Sequence, residues 1–390
     1  MKTPARLALF VSLLLACQYR ADAEEGRTLH VPKDHATIQQ AIDAAHDGDT
    51  VLVAPGTYPG NLKIKGKNLT LASTFLTSEN PSDIEQTILD GKATGKKSTS
   101  IIGIDKSVGP GTRIIGLTIR NGDHAVINAG NIEVLHNHFS KNKDALSFES
   151  GRGVVRFNVF EDDDDDGIDM DGASEATIED NIIRNNDDDG IEIRLHKFKG
   201  PPLSIVIRRN VISGNREDGL QLIDYPGKSE RTFRIERNVF AKNAMAGIGT
   251  MPDGDTKEKY SGADMLEPVF IINNTLVDNP YGITGGDNMV LLNNVIMNCD
   301  KIALKRIHGD SAAGVNLLWN NPTDLDGCDL NPDVFLAKNP LLDTHYKLKA
   351  GSPCIDAGEA SLEYNGETLE LPADSFSGKA PDLGAFEFGK

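Results

Sequence analysis

The sequence predicts an all-β chain wound as a single-stranded solenoid, a right-handed parallel β-helix, with a short capping helix at its N-terminal end. Three observations predict it. A motif recurs at the step of one coil, its segments alternate apolar and polar residues in runs too short to hold a crossover helix, and glycine is abundant (38 of 390 residues) while aromatics make up only 6%. The motif is Asn-x-apolar, then Asp-Gly eight residues after the Asn, then apolar residues at alternating positions. It stands as Asn158-Val159-Phe160 with Asp166-Gly167-Ile168, as Asn181-Ile182-Ile183 with Asp189-Gly190-Ile191, and as Asn210-Val211-Ile212 with Asp218-Gly219-Leu220. Weaker copies begin at Asn137, Asn238 and Asn274. The series Asp144, Asp166, Asp189, Asp218 steps by 22, 23 and 29 residues. Such a unit cannot bury its inner face alone, whereas stacked copies share one apolar interior, and connections between parallel strands are right-handed.

In chain order, Lys2 and Arg6 precede the apolar run 7–16, which is too short to span a bilayer and reads as a signal peptide. Ala21-Asp22-Ala23 offers a cleavage site that would define a signal of residues 1–23. Leu14-Leu15-Ala16-Cys17 offers the alternative, a lipoprotein signal of residues 1–16 that leaves Cys17 lipidated. Either exit places the protein outside the cytoplasm: periplasmic, extracellular or lipid-anchored at the cell envelope. One β-helix domain is expected over residues 28–390, with core repeats over about 110–310 and a closing segment over about 311–390. The segment 37–45 sets Ile38, Ala41, Ile42 and Ala45 on one helical face, a helix able to cover the first coil and its open edge. The recurring Asn is expected to turn inward and hydrogen-bond its copies in neighbouring coils. Cys299, Cys328 and Cys354 are an odd number, so one disulfide at most is intramolecular, between Cys299 and Cys328, the alternative being three buried thiols.

His30-Val31-Pro32, Ala36-Thr37-Ile38-Gln39-Gln40-Ala41-Ile42 and Gly48-Asp49-Thr50-Val51-Leu52-Val53-Ala54-Pro55-Gly56-Thr57-Tyr58 resemble the opening of the right-handed parallel β-helix family that includes pectate lyases. Gly351-Ser352-Pro353-Cys354-Ile355-Asp356-Ala357-Gly358 and Ala380-Pro381-Asp382-Leu383-Gly384-Ala385 resemble the closing segment of secreted bacterial members. The resemblance covers nearly the whole chain after the signal. It is specific for fold and weak for chemistry, because this fold carries lyases, hydrolases, epimerases, esterases and non-enzymes.

Charge locates a candidate site. With 58 acidic and 40 basic side chains the net charge is −18, which argues against a nucleic-acid partner. The acids concentrate at Asp162-Asp163-Asp164-Asp165-Asp166 and Asp187-Asp188-Asp189, while Asp169 and Glu192 occupy equivalent outward positions on successive strands. Strands lie roughly 4.8 Å apart, so these like charges stack and repel unless something neutralises them. An all-oxygen set of this size favours Ca²⁺ over Mg²⁺, and nothing resembles a zinc site. A solvated acidic corner is the alternative. Asp165-Asp166-Gly167-Ile168-Asp169 is similar to the Asp-Asp-Gly-x-Asp calcium motif of the family 9 pectate lyases. The resemblance implies Asp165, Asp166 and Asp169 as ligands. Asp144, one coil earlier, is a further candidate, and Asp188-Asp189-Gly190-Ile191-Glu192 nearly repeats the motif and extends the site through Asp188, Asp189 and Glu192.

Insertions follow the Asp-Gly strand at 194–203, 224–232 and 251–267, so they are expected to stack as one wall of a groove. The predicted activity is Ca²⁺-dependent β-elimination on an acidic, uronic-acid polysaccharide, with Arg194 and Lys197 as candidate bases and His196, Lys199 and Tyr225 as substrate contacts. Tyr225, Tyr260 and Trp319 are the available stacking platforms. The family 9 base sits in a Gly-rich strand, and Glu192 occupies the nearest equivalent position here, a departure that bears on the lyase reading. A salt bridge from Arg194 to Asp169 or Glu192 is the alternative for that residue. The competing functions are a non-catalytic Ca²⁺-stabilised glycan binder, a glycoside hydrolase using Asp169 and Glu192, and a C5 epimerase. A membrane partner is expected only through a lipid anchor, and the chain is expected to be a monomer.

Overall fold

A computed structural model describes residues 26–94 and 100–389, so the targeting segment and Cys17 lie outside the described residues. Three long sheets form the body, two of twelve strands and one of eleven. Every pairing along them is parallel, and neighbours in a sheet are one coil apart in sequence. One coil thus gives Asp144–Glu149 to the third sheet, Arg152–Arg156 to the first and Val159–Glu161 to the second. These are the short strands expected from the alternation, and the coil is the predicted solenoid.

The interior is a set of stacked columns. Leu146, Ile168, Ile191, Leu220 and Ile248 align across five rungs of the third sheet, all fully buried. In the second sheet Phe139 and Phe160 stack with centroids 4.6 Å apart and planes 6° apart. The inward Asn is a continuous ladder from Asn137 through Asn158, Asn181, Asn210, Asn238, Asn274 and Asn294 to Asn316, each backbone N–H donating to the next Oδ1 at 2.8 to 3.0 Å. This satisfies backbone groups that the turns would otherwise bury unpaired. The glycine after each Asp has a steric reason: a Cβ at Gly190 would stand 2.6 Å from the carbonyl oxygen of Gly219.

The capping helix runs Ile38–Ala44, buries Ile38, Ala41 and Ile42 on the first coil, and starts with a capping box between Thr37 and Gln40. At the other end residues 311–389 add a last strand to each sheet and then turn back along the outside of the solenoid. The hairpin Ser361–Tyr364 and Glu367–Glu370 packs Leu369 against Ile272, Val290 and Leu292, and the Arg237 side chain donates to Ser375 O at 2.5 Å. The cysteine pairing is corrected: Cys299, Cys328 and Cys354 are all free, with the thiols of Cys299 and Cys354 buried. Among the described residues no helix is long and apolar enough to cross a membrane.

Candidate functional site

The outer face of the third sheet carries the site. Set side by side by the parallel register, Ser147, Asp169, Glu192, Gln221 and Gly249 form one outward column. At the strand entrances Asp166, Asp189 and Asp218 form a second column. Each turns one oxygen back to its own backbone ladder: Asp166 Oδ1 accepts from Asp189 N at 3.0 Å, Asp189 Oδ1 from Asp218 N at 2.7 Å, and Asp218 Oδ1 from Ala246 N at 2.6 Å. That bond explains why Asp recurs at this place in the repeat. It also holds the carboxyl groups where their second oxygens add to the acidic patch.

Three groups have carboxylate oxygens within 4.8 Å of one another: Asp165, Asp166 and Asp188; Asp166, Asp169 and Glu192; and Asp188, Asp189 and Glu217. Burial pushes Asp169 up to about 7 and Glu192 to about 8, with neighbouring carboxylates adding to the shift. Burial and the same repulsion carry Asp166 and Asp189 well above the ordinary carboxylate range. Asp169 Oδ1, Asp188 Oδ1 and Glu192 Oε1 are buried and accept no hydrogen bond among the described residues. Oxygens without hydrogen-bond donors, an all-carboxylate donor set and short mutual spacing fit a hard cation, although Arg194 already stands against Asp169 Oδ1 and Glu192 Oε1.

The predicted ligands do not all converge. Asp165, Asp166, Asp169, Asp188, Asp189 and Glu192 come together, whereas Asp144 is in none of the three groups because His124 Nδ1 takes its carboxylate at 2.8 Å. Lys143 stands beside it and pairs with Asp165 at 2.7 Å. Arg194 lies on the outward side as the alternation required. Its guanidinium meets Glu192 at 2.6 Å, Asp171 at 3.3 Å and Asp169 at 3.6 Å, although the contacts to Glu192 and Asp169 lack hydrogen-bond geometry. Burial alone would lower its pKa, and the three carboxylates outweigh burial, so Arg194 is held protonated above its ordinary range. That is the opposite of what a general base requires; the salt-bridge alternative describes the Arg194 geometry.

The insertions stack as expected. Phe198 N donates to Lys228 O, Asp224 N to Met251 O, and Ser229 N to Glu267 Oε1 at 2.6 Å. On this wall the His196 and Tyr225 rings sit 4.4 Å apart, and Lys197 and Lys199 are exposed. Tyr260 and Trp319 are not platforms. Tyr260 is 2% exposed, with its hydroxyl donating to Asp218 Oδ1 at 2.5 Å, and Trp319 packs against the cluster of Val295 and Leu317. The sequence reading missed Glu217, although it occupies the place of Asp188 in the next repeat. It also missed Glu258, which accepts from Gln221 Nε2 at 2.7 Å. Glu258 comes from an insertion with no repeat grammar, so no sequence signal marked it, and Tyr260 in the same insertion was read as a stacking platform and not as a partner of Asp218.

Residues 125–296 match the family model described as a right handed beta helix region. The chain is a right-handed parallel β-helix protein. Among solved structures this β-helix is similar to pectate lyase Pel9A, at 16% identity and a TM-score of 0.57, with 89% of this chain and 90% of that one covered. It also matches the catalytic unit of a thermostable GH87 alpha-1,3-glucanase from Streptomyces thermodiastaticus strain HF3-3 (16% identity, TM-score 0.49, 77% and 64% covered). A third match is the periplasmic alginate epimerase AlgG (13% identity, TM-score 0.45, 74% and 71% covered). At these identities the likeness is one of fold. No curated protein sequence matches the chain.

Proposed function

We propose that this β-helix is an exported enzyme acting on an acidic, uronic-acid polysaccharide by β-elimination, with Ca²⁺ held on the outer face of the third sheet. The observation that carries the reading is the patch of buried carboxyls on three consecutive rungs, whose negative charge Arg194 offsets only in part. Asp166, Asp169 and Glu192 would hold the ion, flanked by Asp165, Asp188 and Asp189. A bound divalent cation supplies stabilisation for charge that develops on a substrate carboxylate. It also accounts for a polyanion approaching a protein of charge −18. Arg194, held as a cation, offsets the carboxylates beside it, and proton abstraction falls to Lys197 on the loop wall. The paired rings of His196 and Tyr225, with Lys199 beyond them, form the side of the groove that meets the sugar.

A second reading has its own observation. Burial raises Asp169 to about 7 and Glu192 to about 8, so the two carboxyls share protons near neutral pH, as the acid and base of a glycoside hydrolase must. One experiment separates the two. The protein lacking residues 1–23 is incubated with polygalacturonate, alginate and glycosaminoglycans, with Ca²⁺ and with chelator. Ultraviolet absorbance reports unsaturated uronate, and a reducing-end assay reports chain cleavage. Absorbance that rises only with Ca²⁺, and is lost in Lys197→Ala, is the expected result. New reducing ends without absorbance would establish hydrolysis, and neither signal on any polymer would leave a glycan-binding β-helix.

A further inference from the structure

The outward column of Asp169 continues in the other direction, toward the N-terminal end. Reading the register back, Asp169 pairs with Ser147, Ser147 with Ile127, Ile127 with Gly103, and Gly103 with Lys63. Four rungs place Lys63 about 19 Å from Asp169 along the same face. Gly103, Ile127 and Ser147 stand between them in the column, none of them charged. Lys63 lies on Leu62–Ile64, the terminal strand of the third sheet.

That strand is fixed. Gln39 of the capping helix clamps the Lys63 backbone from both sides, accepting from Lys63 N at 2.8 Å and donating to Lys63 O at 3.2 Å. Lys67 is already engaged, donating to the carbonyls of Ile42, Asp43 and Ala45 at the helix C-terminus. Lys63 and Lys65 are exposed and form no ion pair among the described residues. The nearby acids have hydrogen-bond partners of their own: Asp43 accepts from Gln39 at 2.8 Å, and Asp105, which lies within electrostatic reach of Lys65, accepts from the Ser107 hydroxyl and backbone N–H. The lysines border a cavity of about 580 Å³ with Gln39, Asp43 and Asn61. In a protein of charge −18, two exposed ammonium groups without a salt-bridge contact, on a rigid edge in line with the acidic patch, are a site for an anion.

We propose that Lys63 and Lys65 form a distal subsite that binds a carboxylate of the same acidic polysaccharide chain, laid along the third sheet from the acidic patch toward the capping helix. This rests on the uronic-acid reading of the patch. A chain that reaches both places spans four rungs, so the lysines discriminate in favour of polymer over short fragments.

The test measures binding of polygalacturonate, alginate and chondroitin sulfate, with Ca²⁺, at low ionic strength. Wild type is compared with Lys63→Ala plus Lys65→Ala and with the double substitution to Glu. For the polymer that wild type binds, the expected result is affinity roughly threefold to tenfold weaker in the alanine variant. The loss is larger in the glutamate variant and shrinks with added salt. Ca²⁺ affinity, measured by calorimetry at about 0.15 M salt, stays unchanged, since the patch about 19 Å away lies beyond the Debye length of about 8 Å at that ionic strength. Polymer affinity equal in all three proteins would overturn the subsite alone. No binding of any acidic polymer by wild type would overturn the uronic-acid reading together with the subsite.

Discussion

Asp163→Asn is expected to stabilise the protein, and by an amount that grows with pH. A second amide ladder runs beside the first, through Asn142, Asp163, Asn186, Asn215, Asn243 and Asn279. Asp163 is its one acid. Its Oδ1 does what the amide oxygens do, accepting from Asn142 N at 2.8 Å and Asn142 Nδ2 at 2.9 Å. Its Oδ2 stands where the other rungs place an NH₂ that donates to the next Oδ1, as Asn186 does to Asn215 at 3.1 Å, and it has no partner. Burial therefore pushes Asp163 up to about 8 from 3.8. The folded state binds this proton more tightly than the unfolded chain, so the group's contribution is most favourable below pH 3.8 and is lost as pH rises toward 8. At about 1.36 kcal/mol per unit, the loss at pH 7 has a ceiling of roughly 4 kcal/mol. Asn carries no such penalty and supplies the missing donor. Urea denaturation of both proteins in chelator, at pH 5 and pH 8, measures the difference. The gain is expected to be larger at pH 8, by up to roughly 3.5 kcal/mol. An equal gain at both pH values, or a loss at pH 8, would refute the reasoning.

Two further expectations concern the acidic patch. Because burial and mutual repulsion raise Asp166, Asp169 and Glu192, cation binding should release protons and tighten between pH 6 and pH 8; calorimetry in buffers of different ionisation enthalpy measures both, and an affinity flat across that range contradicts the assignment. Tyr260→Phe removes the hydroxyl that donates to the fully buried Asp218, and should cost about 1 to 3 kcal/mol in denaturant unfolding, whereas an unchanged midpoint would mean that the contact contributes nothing.

Much of the patch was legible because it is written in the repeat. Asp166 and Asp189 each begin the same strand in consecutive coils, and alternation alone puts Asp169, Glu192 and Arg194 outward. What the repeat did not show was each group's company. Asp144 fits the pattern of a ligand, yet His124, one rung earlier, occupies it. Arg194 fits the position of a base, yet three carboxylates hold its proton in place. Asp163 looked like one member of an acidic run, and the fold instead draws it into an amide ladder.

The sequence by itself determined the solenoid, its inward amides, the capping helix and the stacking of the acids, because each follows from the repeat of one coil or from the shorter periods of strand and helix within it. The tertiary structure decided what depends on register across coils of unequal length. Insertions change the step between repeats, so only the assembled sheet puts Lys63 and Asp169 in one column and brings Tyr260 over Asp218. Protonation belongs to this second class as well, since it is set by burial and by charges that arrive from other coils.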